Sequence, residues 1–135
     1  MMTLPHAVHL ALRANARTSR ILEERGARFD PLPVVKFFNP VGAATWIATE
    51  LYDDGDTLFG LADLGFGCPE LGVFSLGEIG RIRLPFGLFI ERDIAFAPRA
   101  PLSVWATTAR RLGSILQAEA ELRKREPPIA DRLPT

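Results

Sequence analysis

Apolar and small residues recur at steps of three and four near the start of the chain and again near its end. This spacing places them along one face of an α-helix. The stripe of the first segment consists of Ala7, Leu10, Ala11, Ala14, Thr18, Ile21 and Leu22. The stripe of the second consists of Trp105, Ala109, Leu112, Leu116 and Ala120. The pattern therefore predicts an N-terminal helix ending near Gly26 and a C-terminal helix after Pro101, each packing its stripe against a core.

Between these helices the sequence changes to β-branched, aromatic and alternating residues, which favour strands. Residues 34–38 predict a first strand, and residues 45–52 and 57–63 predict a hairpin around a glycine-containing turn at 53–56. Residues 88–96 alternate in hydrophobicity and predict a final strand. These segments predict an α+β fold, in which a mainly antiparallel sheet of four or five strands packs against the N-terminal and C-terminal helices.

A turn centred on Asp54 and Gly55 determines which residues of the hairpin face each other. The pairs are Leu51 with Leu58, Glu50 with Phe59, Ile47 with Ala62, and Trp46 with Asp63. In this register Glu50 and Asp63 point from one face of the sheet but lie roughly 13 Å apart along it. That separation is too large for a shared metal ion or for a glycosidase pair, whose carboxyls lie about 5 to 9.5 Å apart.

Residues 57–78 contain most of the unusual features of the sequence. The glycines in this stretch are Gly60, Gly65, Gly67, Gly72 and Gly77. So many glycines among apolar residues indicate positive φ angles or close approach of another backbone. Asp63, Glu70 and Glu78 supply three carboxylates, and Glu78 follows Ser75 at the spacing of a capping box. The stretch is predicted to be a strand that leads into an elaborate turn, followed by a short helix that ends at Arg81.

Arg92 occupies the middle of the more apolar side of the predicted strand 88–96. An unpaired buried charge costs several kcal/mol, so Arg92 is expected to have acidic partners, with Asp63 and Glu70 as the candidates. We favour a buried network that joins the glycine-rich turn to the sheet. The alternative is a hydrolytic site in which Asp63 and Glu70 act, with or without a metal ion, while Arg92 orients the substrate. The residues with predicted structural roles are Gly60, Asp63, Gly65, Pro69, Glu70, Gly72 and Arg92.

Other catalytic or metal-binding arrangements find little support in the sequence. His6 and His9 lie three residues apart, but no cysteine or carboxylate ligand is near them. Cys68 is the single cysteine and precedes a proline, which is more typical of a small apolar residue in a turn than of a catalytic thiol. The glycines match neither of the common phosphate-binding patterns. We therefore predict no metal site and no cofactor, and the sequence favours a protein that is not an enzyme.

The composition narrows the classes of function. Sixteen Lys and Arg residues balance sixteen Asp and Glu residues, so the overall charge predicts neither a nucleic-acid-binding nor an acidic protein. No apolar run reaches the roughly 18 residues that cross a membrane, and a single cysteine suits a reducing compartment, so a cytoplasmic protein without membrane contact is expected. The length predicts one domain over residues 1–126 and a loose tail over residues 127–135.

A local basic strip lies on the first helix, opposite the apolar stripe. Its residues are His9, Arg13, Arg17, Arg20 and Glu24. A solvated helix face is the common interpretation of such a strip. The alternative is nucleic-acid binding, in which Arg13, Arg17 and Arg20 contact phosphates and Arg110 and Arg111 extend the surface.

The segments around the glycine-rich turn resemble a small family of bacterial proteins that contain a domain of unknown function. The resemblance rests on VVKFF, LFGLADLGFGCPELGVFSLGEI, LPFGLFIERDIAF and PLSVWA, which span residues 34–106. The recurrent positions are Gly60, Leu61, Asp63, Leu64, Gly65, Pro69, Glu70, Leu71, Gly72, Leu76, Arg92 and Asp93. The resemblance implies a genetic context, because members occur on plasmids and on integrative or conjugative elements near transfer and anti-restriction genes. It implies no activity.

These observations favour an accessory or interaction protein of a mobile element. It would present the glycine-rich turn and the neighbouring sheet edge to another macromolecule, with another protein as the expected partner. The alternatives are a carboxylate-dependent hydrolase or nuclease and a nucleic-acid-binding module.

Overall fold

The computed structural model describes residues 2–125. Its elements in chain order are α1 (His6–Glu24), β1 (Val35–Phe38), β2 (Thr45–Leu51), β3 (Thr57–Asp63), β4 (Glu70–Ser75), α2 (Leu76–Arg81), β5 (Glu91–Arg92), α3 (Leu102–Leu112) and α4 (Ile115–Arg125), with a short 3-10 turn at Pro85–Gly87. No helix in this range is both long and apolar enough to span a bilayer. The predicted tail at 127–135 lies outside the described residues.

The five strands form one sheet in the order β4-β3-β2-β1-β5, and every neighbouring pair is antiparallel. The α+β architecture predicted from the sequence is therefore confirmed. The strands β2, β3 and β4 follow one another directly, whereas β5 returns to pair with β1. The two edges of the sheet are consequently β4 and the short β5.

Apolar side chains fill both faces of the sheet, because successive residues of a strand point to opposite sides. Trp46 packs on the side that α1 and α2 cover, together with Leu12 and Ile79. Its neighbour Ile47 packs on the side of α3 and α4, together with Trp105. The sheet is thus the middle layer of three.

The structure corrects the predicted inner face of α1. Leu10 and Ile21 of the predicted stripe are exposed, whereas Leu12 and Ala16 are buried. Hydrogen bonding explains this orientation of α1. β1 pairs with β2 only as far as Ala48, so the backbone carbonyls of β2 beyond Ala48 need other hydrogen-bond donors. Arg13 donates to the Leu51 carbonyl at 2.6 Å and Asn15 to the Thr49 carbonyl at 2.9 Å. These bonds rotate α1 so that its stripe of small residues faces outwards.

The C-terminal helix is divided in two, which the sequence pattern did not predict. Gly113 adopts φ +78° and ends α3, and α4 begins two residues later at Ile115. The interruption changes which positions face the core. Ile115 and Leu122 are buried, whereas Leu116 of the predicted stripe is exposed.

The hairpin prediction holds near the turn and fails further along. Leu51 faces Leu58 and Glu50 faces Phe59, as predicted. Beyond these pairs a bulge lies between Ala48 and Glu50, and the register moves by one residue. The remaining pairs are Ala48 with Gly60, Ile47 with Leu61, Trp46 with Ala62, and Thr45 with Asp63. The predicted partners of Ile47 and Trp46 are therefore wrong.

The predicted strand 88–96 is mostly absent. Only Glu91 and Arg92 pair with β1, and Phe89 forms an isolated bridge with Arg83. The chain leaves the sheet at Asp93, whose side-chain oxygen accepts a hydrogen bond from the backbone N–H of Ala95 at 2.9 Å. Aspartate commonly turns a chain in this way, and the alternation of hydrophobicity does not reveal it.

A candidate docking surface at the glycine turn and the outer strand

Asp63, the last residue of β3, fixes the turn that follows it. Its side chain is only 2% exposed. One carboxylate oxygen accepts a hydrogen bond from the N–H of Gly65 and the other from the N–H of Ile115, both at 2.9 Å. Bonds from backbone N–H groups to a carboxylate are strong, and the second one caps the first turn of α4. Asp63 thereby ties the turn to the start of the last described helix.

Residues 64–69, which we call the glycine turn, depend on glycine at two positions. Gly65 has φ +90° and Gly67 has φ +83°, both in the left-handed region that favours glycine. Gly113, at the junction of α3 and α4, packs against Gly67, since a Cβ built there would lie 3.4 Å from the Gly67 carbonyl oxygen. The glycine turn is therefore held on the helices by its backbone.

The tip of the glycine turn presents apolar side chains to solvent. Phe66 is 82% exposed and Leu64 is 59% exposed, whereas Pro69 is buried. The free thiol of Cys68, which lies between Phe66 and Pro69 in the chain, is also exposed. Exposed apolar groups that lie next to one another often mark contacts with a partner.

The outer edge of β4 continues this apolar region. The N–H of Leu76 donates to the carbonyl of Asp56 at 2.9 Å, and in an antiparallel ladder every second residue bonds to the same neighbour. Counting back from Leu76 in steps of two, Phe74, Gly72 and Glu70 bond to β3. The residues between them, Val73 and Leu71, therefore point their N–H and C=O groups away from β3. Val73 is 61% exposed. No strand within residues 2–125 pairs with this edge, and β4 contains neither the lysine nor the proline that protects many edge strands.

A cleft lies between the glycine turn, β4 and α3. It has a volume of about 480 Å³, and its walls include Cys68, Glu70, Leu71 and Arg110. A smaller cleft of about 180 Å³ lies beside Leu64 on the turn. We call the glycine turn, the outer edge of β4 and these clefts the docking surface. Such an edge can accept the main chain of an extended peptide, and the clefts can accept its side chains.

The structure does not bring the predicted acidic site together. Glu70 is exposed at the start of β4, and Arg92 lies on β5 at the opposite edge of the sheet. Two strands separate β3 from β5, so Asp63 and Arg92 lie about 14 Å apart across the ladder. Arg92 forms no ion pair with a carboxylate of residues 2–125. The three side chains of the predicted network, Asp63, Glu70 and Arg92, therefore do not meet in the structure.

Glu50, the carboxylate on the neighbouring strand β2, does not form a site with Asp63 either. Burial raises the pKa of Glu50, which accepts a hydrogen bond from Ser19 of α1 and so contacts that helix rather than Asp63. Within residues 2–125 no three His, Cys, Asp or Glu side chains lie together in a way that could hold a metal ion.

Two of the three arginines predicted to bind phosphate have partners within the protein. Arg13 donates to Asp53 at 2.6 Å as well as to the Leu51 carbonyl, and Arg20 donates to Asp53 at 3.2 Å. These hydrogen bonds, that from Arg13 above all, lower the pKa of Asp53. Arg17 is exposed beside them. The basic strip of α1 is thus largely occupied by the hairpin turn.

A buried charged cluster that the sequence did not predict connects β1 with α4. The ammonium group of Lys36 lies 2.9 Å from Glu119 and 3.3 Å from Asp93, and it sits over the ring of Phe38 at 5.7 Å. From the sequence, Glu119 is only the i,i+4 partner of Arg123, a pair whose separation is 4.0 Å. The available signal was a single lysine inside the apolar strand VVKFF, the same signal that drew attention to Arg92.

Comparison with known proteins identifies a family. A family model described as protein of unknown function (DUF2958) matches residues 3–116. No curated protein and no solved structure matches the chain. The matched range includes the glycine turn, β4, β5 and α3, and it extends on both sides beyond residues 34–106, where the sequence shows its resemblance to a bacterial family.

Proposed function

Because the chain belongs to the DUF2958 family, whose description assigns no function, we propose that it is a non-enzymatic accessory protein of a bacterial mobile genetic element. In this proposal it acts in the cytoplasm by binding another protein through the docking surface. The observation that carries the proposal is the edge of β4, with which no strand of residues 2–125 pairs, beside a glycine turn with Phe66 exposed at its tip.

Strand addition explains why these features occur together. An extended segment of a partner can bond to the outward N–H and C=O groups of Leu71 and Val73, and main-chain bonds of this kind supply affinity. Alternate side chains of that segment would meet Val73 and the cleft beside Arg110. Phe66 offers a large aromatic anchor next to the strand, and such residues dominate many interfaces. The partner segment is therefore expected to be extended and to carry apolar residues at every second position.

Carboxylate-dependent hydrolysis has less support. Both oxygens of Asp63 accept backbone hydrogen bonds in a site that is closed to solvent, so this carboxylate has little capacity to hold a metal ion or to activate water. Glu70 is exposed but has no second carboxylate of the proposed set beside it. The geometry suits a structural acid and a surface acid rather than a catalytic pair.

The test begins with a photo-crosslinking amino acid at position 66 in a host that carries the mobile element. Mass spectrometry then identifies the partner, and titration with the purified partner gives Kd. Phe66→Ser and Val73→Lys are expected to weaken binding by roughly tenfold or more, because they remove the anchor and place a charge on the edge. Ile94→Ser is the control, since Ile94 is also exposed but follows β5 at the other edge. Unchanged Kd values for both docking variants would overturn the proposal.

The oligomeric state supplies an independent check. Light scattering of the purified chain is expected to show a monomer. A dimer that Val73→Lys dissociates would mean that β4 pairs with a second copy of itself, and it would overturn the proposal of a different partner protein.

A further inference from the structure

A second surface lies at the other end of β4 and has a different chemical character. A cleft of about 580 Å³ opens beside α2 and the hairpin turn, and its walls include Asp56, Gly77, Gly80, Arg81, Arg83 and Phe89. We call it the arginine cleft. Its volume is within the range of small-ligand sites. Five residue steps along β4 separate its two ends, roughly 17 Å, so the arginine cleft and the docking surface can be tested separately.

The charge of the arginine cleft favours an anion. Within residues 2–125, neither Arg81 nor Arg83 forms an ion pair with a carboxylate. Asp56 is the acidic residue of the cleft, but its oxygens accept hydrogen bonds from the Ser75 hydroxyl at 2.6 Å and from the Gly77 N–H at 2.7 Å. The pKa of Asp56 is lowered chiefly by the Ser75 hydroxyl and the Gly77 N–H, and more weakly by Arg81, so Arg81 already interacts with this carboxylate. The cleft nevertheless contains two guanidinium groups and a single carboxylate. Guanidinium groups bind phosphate with well-defined geometry.

An aromatic ring accompanies the arginines. Phe89 is 53% exposed and forms an antiparallel bridge with Arg83, which places the two side chains next to each other on one side of the chain. Gly77 and Gly80 of α2 also line the cleft, where Gly80 packs against Met2 and Gly77 lies beside Asp56 and Arg81. The exposed ring of Phe89 thus offers a flat group a stacking surface in the same cleft as the two guanidinium groups.

The loop between the bridged residues shows a second feature. Phe86 stands at its tip, is 92% exposed, and has φ +63°, a conformation that is costly for an aromatic residue. The loop thus holds a ring in solvent at the expense of backbone strain. Exposed aromatic rings next to arginines are the usual composition of surfaces that bind single-stranded nucleic acids.

From this geometry we infer that the arginine cleft binds a nucleotide unit, with its phosphate at Arg81 and Arg83 and its base stacked on Phe89. Two sources could provide this chemistry: a single-stranded nucleic acid or a free nucleotide. In either case the site differs from the basic strip of α1, where Arg13 and Arg20 are held by Asp53. The inference does not rest on the proposed protein-binding function.

Fluorescence anisotropy with a short fluorescein-labelled oligothymidylate tests the inference on the full chain. The double variant Arg81→Ala/Arg83→Ala is expected to raise Kd by roughly tenfold or more, and Phe89→Ala by roughly fivefold or more, because stacking on an aromatic ring contributes on that order. The matched control is Arg25→Ala/Arg28→Ala, which removes two exposed arginines that belong to neither surface and should leave Kd unchanged. Two phosphate contacts predict a slope of log K against log salt of about −1.4, at about −0.7 for each contact on a single strand.

Competition then separates the two sources. If thymidine monophosphate displaces the probe as well as the unlabelled oligonucleotide does, the ligand is a free nucleotide; if only the oligonucleotide competes, it is a nucleic-acid strand. The inference is overturned if neither the labelled oligothymidylate nor thymidine monophosphate binds, or if the Arg81 and Arg83 changes leave Kd unaltered. It is also overturned if duplex and single-stranded oligonucleotides bind with equal affinity and Phe89→Ala changes neither Kd.

Discussion

The Nζ atom of Lys36 lies 2.9 Å from an Oε atom of Glu119, and this ion pair joins the strand β1 to the helix α4 in the interior of the protein. The Lys36 side chain is 7% exposed, and Asp93 is its second partner at 3.3 Å. A charge removed from water in this way is stable only while its partners remain. The cluster therefore adds a buried ionic contact to the apolar packing of Ile115 and Leu122 that holds α4 on the sheet.

Replacing Lys36 with methionine should destabilise the protein. The change keeps the length of the side chain but leaves Glu119 and Asp93 near each other without a cation, at a cost of about 3 kcal/mol in the free energy of unfolding. Urea denaturation measures this cost. The double variant Lys36→Met/Glu119→Leu should recover part of it, because Asp93 is the more exposed of the two acids. A single variant as stable as the wild type would show that the cluster does not hold α4.

Asp63→Asn should lower thermal stability through the loss of two charge-assisted hydrogen bonds. An amide has only one oxygen, so it cannot accept from both Gly65 and Ile115, and the expected cost is about 2 kcal/mol. Glu70→Gln is the matched control, since Glu70 is exposed and its replacement should change stability by less than about 0.5 kcal/mol. Thermal unfolding checks both. An Asp63→Asn protein with native Tm but no function in the cell would instead indicate chemistry at this carboxylate.

Two glycines of the sheet should respond differently to alanine. A Cβ at Gly60 would lie 1.9 Å from the carbonyl oxygen of Ile47, whereas a Cβ at Gly72 would meet nothing within 4 Å. Gly60→Ala must therefore displace the bulged strand β2 and should cost about 3 kcal/mol. Gly72→Ala should stay within about 1 kcal/mol of the wild type. Chemical denaturation of the pair distinguishes close backbone approach from a general effect of glycine, and equal losses would contradict the explanation.

The Asp54 carboxyl in the hairpin turn should make the thermal stability of the protein decrease at acidic pH. The hydroxyl of Thr57, followed by the backbone N–H groups of Thr57 and Asp56, donates to Asp54 and holds the pKa of that carboxyl below its usual value of 3.8. Because the folded-state pKa is the lower one, the stabilisation is complete above pH 3.8 and is lost as the pH falls through the folded-state value. In Asp54→Asn the plot of Tm against pH should therefore fall less steeply below pH 3.8. Curves that run parallel throughout would contradict this assignment.

The sequence predicted those parts of the fold that local spacing determines. The hairpin turn, the first strand and the Ser75 cap of α2 follow from neighbouring residues, and the structure contains all three, including the hydrogen bond from the Glu78 N–H to the Ser75 hydroxyl oxygen at 3.1 Å. The inner face of α1 was beyond such reasoning. It is set by the carbonyls that β2 exposes where β1 ends, and no helix periodicity encodes the length of another strand.

The predicted ionic network of Asp63, Glu70 and Arg92 does not form, whereas an ionic cluster that the sequence did not predict lies at Lys36. A charge inside an apolar strand does require partners, but which acids reach it depends on strand order. Arg92 lies in the short edge strand β5, whereas Lys36 lies in β1 beneath α4 and meets Glu119, 83 residues later in the chain. Asp63 needed no arginine because backbone N–H groups satisfy it. Spacing alone could not distinguish these two ways of stabilising a carboxylate.

Asp63 also gives the molecule an internal reporter. The same carboxylate holds the base of the exposed glycine turn and the amide of Ile115, 52 positions further along the chain. A partner that displaces the glycine turn would therefore also disturb the hydrogen bond from the Ile115 N–H to Asp63, although Ile115 itself is fully buried. The chemical shift and hydrogen-exchange rate of the Ile115 N–H would therefore report binding at the glycine turn, without a label on the turn itself.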